Sequence, residues 1–467
     1  MLAPRGRTFA LLLLFASVVV ISFWGIIGYN RETSAQETLS FYAIEWHNGP
    51  ISDLKNIFEK HLAPRLRMKV VVHEISFATQ CTFNNNCARE DDVKVVGRDT
   101  GFLLCPHPHK VMKEFFEVYR EDPAFLSNDV FICTLPCSTC RIFLPFNRPM
   151  IVQHPVTTYA GITVQEEWDR LQAQISMRGR GVVTANNLKH YVEAGTRVGF
   201  DYVRPQIESL GDYALVTAGA HWLDANVPSQ WNPRRSCKDF DLPGTLIYHP
   251  LEDKKLEDDL AAMRERLEQG GCRAATVGEH YGIDNYQTGP KDYVRHPYAL
   301  IIPWTHSFMT CFENYAMGVP MFLPSVTLLL QYHSSWLESQ PERWWFSDWY
   351  GFPGVRIFNT WEEGVQMILE GDLRVQSEKE RRGQEKRRKR ILDDWEEVLR
   401  ELVLDESGKK KQWKPIDLSK TWEDLMVEEW GFQRSELFQG ADTPCLETVK
   451  AHGPTFSGTK PLNFEKG

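Results

Sequence analysis

Apolar residues along this chain follow two rhythms that take turns. Short continuous apolar runs, as expected of strands buried on both faces of a parallel sheet, fall at Phe41–Trp46, Met68–Ile75, Asp129–Thr134, Pro149–Gln153 and Gly181–Thr184. Tyr213–Val216 would complete that set. Between the first two runs Ile51, Leu54, Phe58 and Leu62 share one helical face, and Ser52 and Asp53 mark the helix start. This spacing predicts a strand–helix–strand unit with a right-handed crossover. Thr163 and Glu166 have capping-box spacing ahead of a helix with Trp168, Leu171 and Ile175 on its inner face. Residues 76–107 carry neither rhythm and read as a long loop.

Residues 224–243, rich in Pro, Asn and charge, read as a linker. The alternation then resumes, with strands at Thr245–Tyr248, Arg273–Val277, Ala299–Ile302, Val319–Leu323 and Val355–Phe358. Helices are expected over 252–269, up to Met317, after the Thr360–Glu363 capping box, and across the charged stretch 378–402. No internal sequence repeat links the two halves.

The densest chemistry lies in residues 297–325. Pro303 ends the apolar run, Thr305, His306 and Ser307 supply polar groups and an N-cap, and Gly318 takes the position that favours a left-handed stop. A helix that follows a parallel strand offers unpaired N–H groups to an anion. Glu313, two turns along, brings a carboxylate able to grip a pair of sugar hydroxyls. A core strand–helix–strand with a polar cap would look the same locally.

Composition narrows the class. With 53 basic and 62 acidic residues the chain lacks the positive balance of a nucleic-acid binder. Residues 8–29 are uncharged and apolar, about 33 Å long as a helix, with Arg5 and Arg7 ahead of them. These features predict a single-pass anchor with residues beyond 30 on the far side of the membrane. A cleaved signal peptide, with Ser34 and Ala35 near the cut, is the alternative. Cys133, Cys137 and Cys140 lack a second ligand pair and read as structural disulfides or buried thiols, as does the Cys81/Cys87 pair. His107 and His109, flanked by prolines, read as a turn and not a metal site.

The pattern His296-Pro…His306-Ser307-x-x-Thr310-x-x-Glu313-x-x-x-x-Gly318-Val319-Pro320-Met321 resembles the nucleotide-sugar site of GT-B glycosyltransferases. The resemblance covers about thirty residues closely and the rest by element order. It implies an α/β fold of two Rossmann-like domains facing across a cleft, here preceded by one transmembrane helix. It makes Glu313 the ligand of the nucleotide ribose and sets His306, Ser307, Thr310 and Thr305 beside the diphosphate. No metal is expected in that design, and the nucleotide sugar is a co-substrate. His47, just after the first strand, resembles the histidine that deprotonates the acceptor in many inverting members; a turn histidine is the plainer reading. Asn186 and Asn187, at a strand's carboxyl end, would line the cleft or cap a helix. Two departures stand out. Ser307 and Phe308 replace the glycines that usually follow the histidine, and Thr305 occupies the place of a second glutamate found in many retaining members.

The expected organisation is a cytoplasmic tail at 1–7, an anchor at 8–29, a stem at 30–40, an acceptor domain at 41–235 and a donor domain at 236–405. Residues 406–467 are expected to be a loosely ordered tail. The function this predicts is sugar transfer from a nucleotide-diphosphate sugar to a glycan, protein or lipid acceptor at a Golgi or endoplasmic reticulum membrane. The alternative is a tethered carbohydrate-binding or scaffolding protein that keeps the cleft without turnover.

Overall fold

The apolar runs pair as parallel strands. A computed structural model describes residues 37–45, 48–77, 109–134, 140–154, 180–185, 234–248, 253–281, 295–303, 309–332 and 347–435, with positions 95, 175, 210 and 437. In the first half, β1 (Thr38–Glu45), β2 (Lys69–Ser76), β3 (Val130–Cys133), β4 (Met150–His154) and β5 (Gly181–Ala185) form one sheet in the order β2-β1-β3-β4-β5. Helix α1 (Asn48–Asn56) runs on through a π-helical turn at Ile57–Leu62, so the apolar face drawn from Ile51, Leu54, Phe58 and Leu62 is buried as a unit and gains Ile57. Helix α2 (His109–Tyr119) covers the opposite face with Met112, Phe115 and Phe116.

The second half repeats the design without repeating the sequence. Strands β6 (Gly244–Ile247), β7 (Ala274–Thr276), β8 (Ala299–Ile301), β9 (Met321–Pro324) and β10 (Arg356–Phe358) give the order β10-β9-β8-β6-β7, again all parallel. Both sheets therefore have one topology, with the strand order reversing between the first and third strands of each half. In open parallel sheets ligands gather at the carboxyl ends of strands at that reversal. Helix α3 (Lys254–Gln269) carries Leu256, Leu260, Met263 and Leu267 inward, α4 (Met309–Met317) joins β8 to β9, and α5 (Trp361–Glu370) follows β10. Thr360 caps α5 through the Glu363 N–H, but the Glu363 carboxylate reaches the N–H of Asn359, so the expected capping box is only half made.

Helix α6 (Leu373–Val403) ties the halves together. Its first turns hold the second sheet: Ser377 Oγ donates to the Gly318 carbonyl (2.7 Å) and Gln376 Nε2 to that of Met321 (2.9 Å). Farther on, Ile391, Trp395, Leu399 and Leu402 enter the core of the first half, with Trp395 edge-on to Phe58 at 5.1 Å.

Within the expected loose tail, residues 406–435 are ordered, while 438–467 lie outside the described residues. Helix α7 (Trp422–Trp430) opens with a complete Thr421–Asp424 capping box and stops at Gly431, whose φ is 69°. Trp422, Leu425, Met426 and Trp430 pack into the α2 face of the first sheet, and Trp430 Nε1 donates to the Leu144 carbonyl at 2.8 Å. Disulfides join Cys133 to Cys140 and Cys237 to Cys272, while Cys137, Cys81 and Cys87 lie outside the described residues. Segment 8–29 also lies outside them, and among the described residues no helix is long and apolar enough to cross a membrane.

Candidate functional site

Helix α4 starts at the carboxyl end of β8, beside β6, at the reversal point of the second sheet. Its placement follows from the local sequence. The Ala299–Ile301 run is fully buried, and Gly318 accepts φ 72° to turn the chain into β9. A Cβ at Gly318 would also collide with Arg381 of α6. The helix is enclosed nearly all round: Thr310, Cys311, Phe312, Glu313, Asn314 and Tyr315 are buried.

Each buried residue has its own neighbour. Tyr315 stacks on Phe352 at 4.3 Å, and the Arg387 guanidinium of α6 lies 5.0 Å above Phe312 and 5.2 Å above Phe352. Asn314 Nδ2 donates to the Thr310 carbonyl at 2.8 Å, bracing the first turn. Cys311 is a buried free thiol, its pKa driven up by burial and by the charges of Glu313 and Asp348.

Glu313 is the exception. It is only 7 % exposed, yet no donor among the described residues is hydrogen-bonded or ion-paired to its carboxyl group. Burial pushes its pKa up to about 8, and the charge of Asp53 adds to the shift. Asp53 belongs to α1 of the first half and is 1 % exposed, so the charge felt at Glu313 comes from a buried carboxyl group of the other half. Asp53 Oδ2 accepts from the Leu210 N–H at 3.3 Å, and the Leu210 carbonyl accepts from Gln384 Nε2 of α6 at 2.9 Å. The bridging helix, the first half and the Glu313 helix therefore meet around this one position. An uncompensated buried carboxyl is costly, and hydroxyl donors from a ligand would relieve that cost.

Of the residues singled out in the sequence, the structure brings Glu313 and Thr310 together on α4, one turn apart. His47, Thr305, His306, Ser307, Asn186 and Asn187 lie outside the described residues. His296, part of the same pattern, is buried with Nδ1 2.6 Å from the Pro243 carbonyl, and burial lowers its pKa to about 4. His109 is the buried first residue of α2, its ring 5.9 Å from Trp422. Among the described residues no three His, Cys, Asp or Glu side chains converge as a metal site. Sequence reasoning missed Asp53 as a neighbour of Glu313, and also Gln384 and Arg387.

No family model matches the chain, and no curated protein matches it. Among solved structures it is similar to a protein assigned as a UDP-N-acetylglucosamine 2-epimerase from Listeria monocytogenes, at 10 % identity and a TM-score of 0.42, over 85 % of this chain and 98 % of that one. It is also similar to MurG from Acinetobacter baumannii (10 % identity, TM-score 0.38, 76 % and 98 % covered). A third is the glycosyltransferase SnogD from Streptomyces nogalater (10 % identity, TM-score 0.37, 75 % and 95 % covered).

Proposed function

We propose that this chain is a GT-B-type glycosyltransferase that moves a sugar from a nucleoside-diphosphate sugar to an acceptor hydroxyl. The observation that carries the reading is Glu313: an enclosed carboxyl group, with no donor among the described residues, on the helix that joins β8 to β9. A ribose diol supplies two O–H donors to such a group. The diphosphate would sit at the start of α4, with Thr305, His306, Ser307 and Thr310 around it. There the helix dipole stabilises negative charge on the leaving diphosphate as the sugar's bond to it breaks. The acceptor oxygen forms the new bond to the anomeric carbon, and its proton passes to a base, for which His47 is the candidate. The acceptor, a glycan, protein or lipid, and a luminal setting behind an anchor at 8–29 complete the proposal.

The decisive experiment is calorimetric titration with a panel of nucleoside diphosphates and with pyrophosphate. Glu313→Ala is expected to lower nucleotide affinity at least about tenfold, the loss of roughly 1.4 kcal/mol of ribose contacts, while leaving pyrophosphate binding unchanged. Equal nucleotide affinity in parent and variant would remove Glu313 from the site. Sugar-nucleotide turnover then separates a transferase from a binding protein.

A further inference from the structure

The exposed side of α6 carries a charge pattern that the donor site does not use. Residues 378–390 hold eight Lys and Arg against three Glu, in a chain whose net charge is −9. One of those acids, Glu380, is buried on the inner face and held protonated near neutral pH. Lys379, Arg382, Lys386 and Arg390, spaced by three and four residues, form a single file about 17 Å long on the outer face. Arg388 flanks the file on the side of the first half, where it touches His61 at 3.0 Å, and Arg381 flanks it beside Gly318 of the second half. Lys379, Arg381 and Lys386 are exposed and have no acidic partner among the described residues; Arg382 has only a loose contact with Glu378 at 3.7 Å.

Like charges at i, i+4 destabilise a helix, so Arg382 and Lys386 oppose one another. The helix persists because its other face is anchored by Ile391, Trp395 and Leu399. A polyanion lying along the file would relieve that repulsion. We infer that the outer face of α6 is a docking track for an acidic polysaccharide, with sulfate or carboxylate groups meeting successive cations along the helix. Two features favour this occupant. Of the exposed large apolar residues among those described, Val118, Leu330, Val375 and Leu418, only Val375 lies on this helix, one turn ahead of Lys379, and a single valine is too small an apolar face for insertion into a bilayer. None of the four is aromatic, so the track has no platform for stacking nucleobases. The inference stands independently of the donor site and would extend it by naming an anionic glycan as partner.

The test measures binding of the full chain to immobilised heparin in about 0.15 M salt, beside neutral dextran, phosphatidylserine vesicles and single-stranded DNA. Heparin is expected to bind with a steep salt dependence, and dextran not at all. The triple variant Lys379→Glu, Arg382→Glu, Lys386→Glu is expected to weaken heparin binding about 100-fold, from about tenfold or less per reversed cation. A control reversing the exposed Lys69, Lys110 and Lys254, which lie on other elements, is expected to retain it, and nucleotide affinity should be the same in all three proteins. Equal heparin binding by the triple variant and the control, no binding by the parent, or tighter binding to vesicles or DNA would each overturn the assignment. Glu313→Ala should not alter heparin binding, so this result and the donor-site result are read separately.

Discussion

Glu380 offers the sharpest test of how α6 grips the second sheet. Its Oε1 accepts from the Met321 N–H at 3.0 Å and from Gln376 Nε2 at 3.1 Å, while Oε2 is buried with no partner among the described residues. Full burial pushes its pKa from the ordinary 4.5 up to about 8, and the two donors offset only part of that. The sign follows directly. The folded chain holds a proton that the unfolded chain gives up above about pH 4.5, so this group's contribution is complete below that pH and is lost as pH rises toward 8. At pH 7 the loss is about 3 kcal/mol, taking about 1.4 kcal/mol per pH unit.

Glu380→Gln keeps the shape and the acceptor for both donors while removing the proton. Its amide NH₂ replaces a protonated oxygen that also lacks a partner among the described residues, so near pH 5 parent and variant are expected to match within about 1 kcal/mol. At pH 8 the variant should be more stable by about 4 kcal/mol. Urea melts of both proteins at intervals from pH 5 to 8.5 measure the difference directly. Glu313 has a similarly raised pKa, so the parent's pH slope is expected to shrink in the variant without vanishing. A variant–parent difference that is flat with pH, or a variant less stable at pH 8, would refute a buried neutral acid at this position.

Three further outcomes follow from the geometry. Nucleotide affinity is expected to rise with pH from 6 toward 8, because diol donors favour the ionised Glu313, and calorimetry in matched buffers should lose that trend in Glu313→Gln. Gly383→Ala should destabilise by about 1–3 kcal/mol despite alanine's better helix propensity, since a Cβ there runs into the Tyr315 hydroxyl; a thermal melt checks the sign. Trp430→Ala should cost about 3–5 kcal/mol, removing a buried ring, its bond to Leu144 and the Arg180 guanidinium stacked 5.1 Å from it; a denaturant midpoint shift reads this out.

What could be read in advance depended on how local each signal was. The β8–α4–β9 unit was legible because a buried apolar run, a proline break and Gly318 all act within a few residues. The face of α1 was legible for the same reason, and the π-helical turn only widened it. Asp53 was not, because nothing in a polar helix-start residue tells that it will meet a carboxyl group 260 positions away. The order inside 421–431 has only a short local signal: Thr421 and Asp424 make the capping box, and Trp422, Leu425, Met426 and Trp430 have helical spacing. An aspartate in place of the usual glutamate, and only two turns of periodicity, made that signal faint. Glu380 sits on the apolar face of α6, where its polarity broke the very rhythm that predicts burial.

Helix α7 completes the face of a sheet whose last described strand precedes it by roughly 240 residues. At ribosomal rates of about 5–20 residues per second, the aromatic surface beneath it waits some ten to fifty seconds during synthesis for its cover. Through that interval the nascent first half carries an open greasy surface, which makes it a client for chaperones and a liability if elongation stalls late. Fragments ending near residue 405, which would look like tidy two-domain products, would carry that uncovered surface permanently.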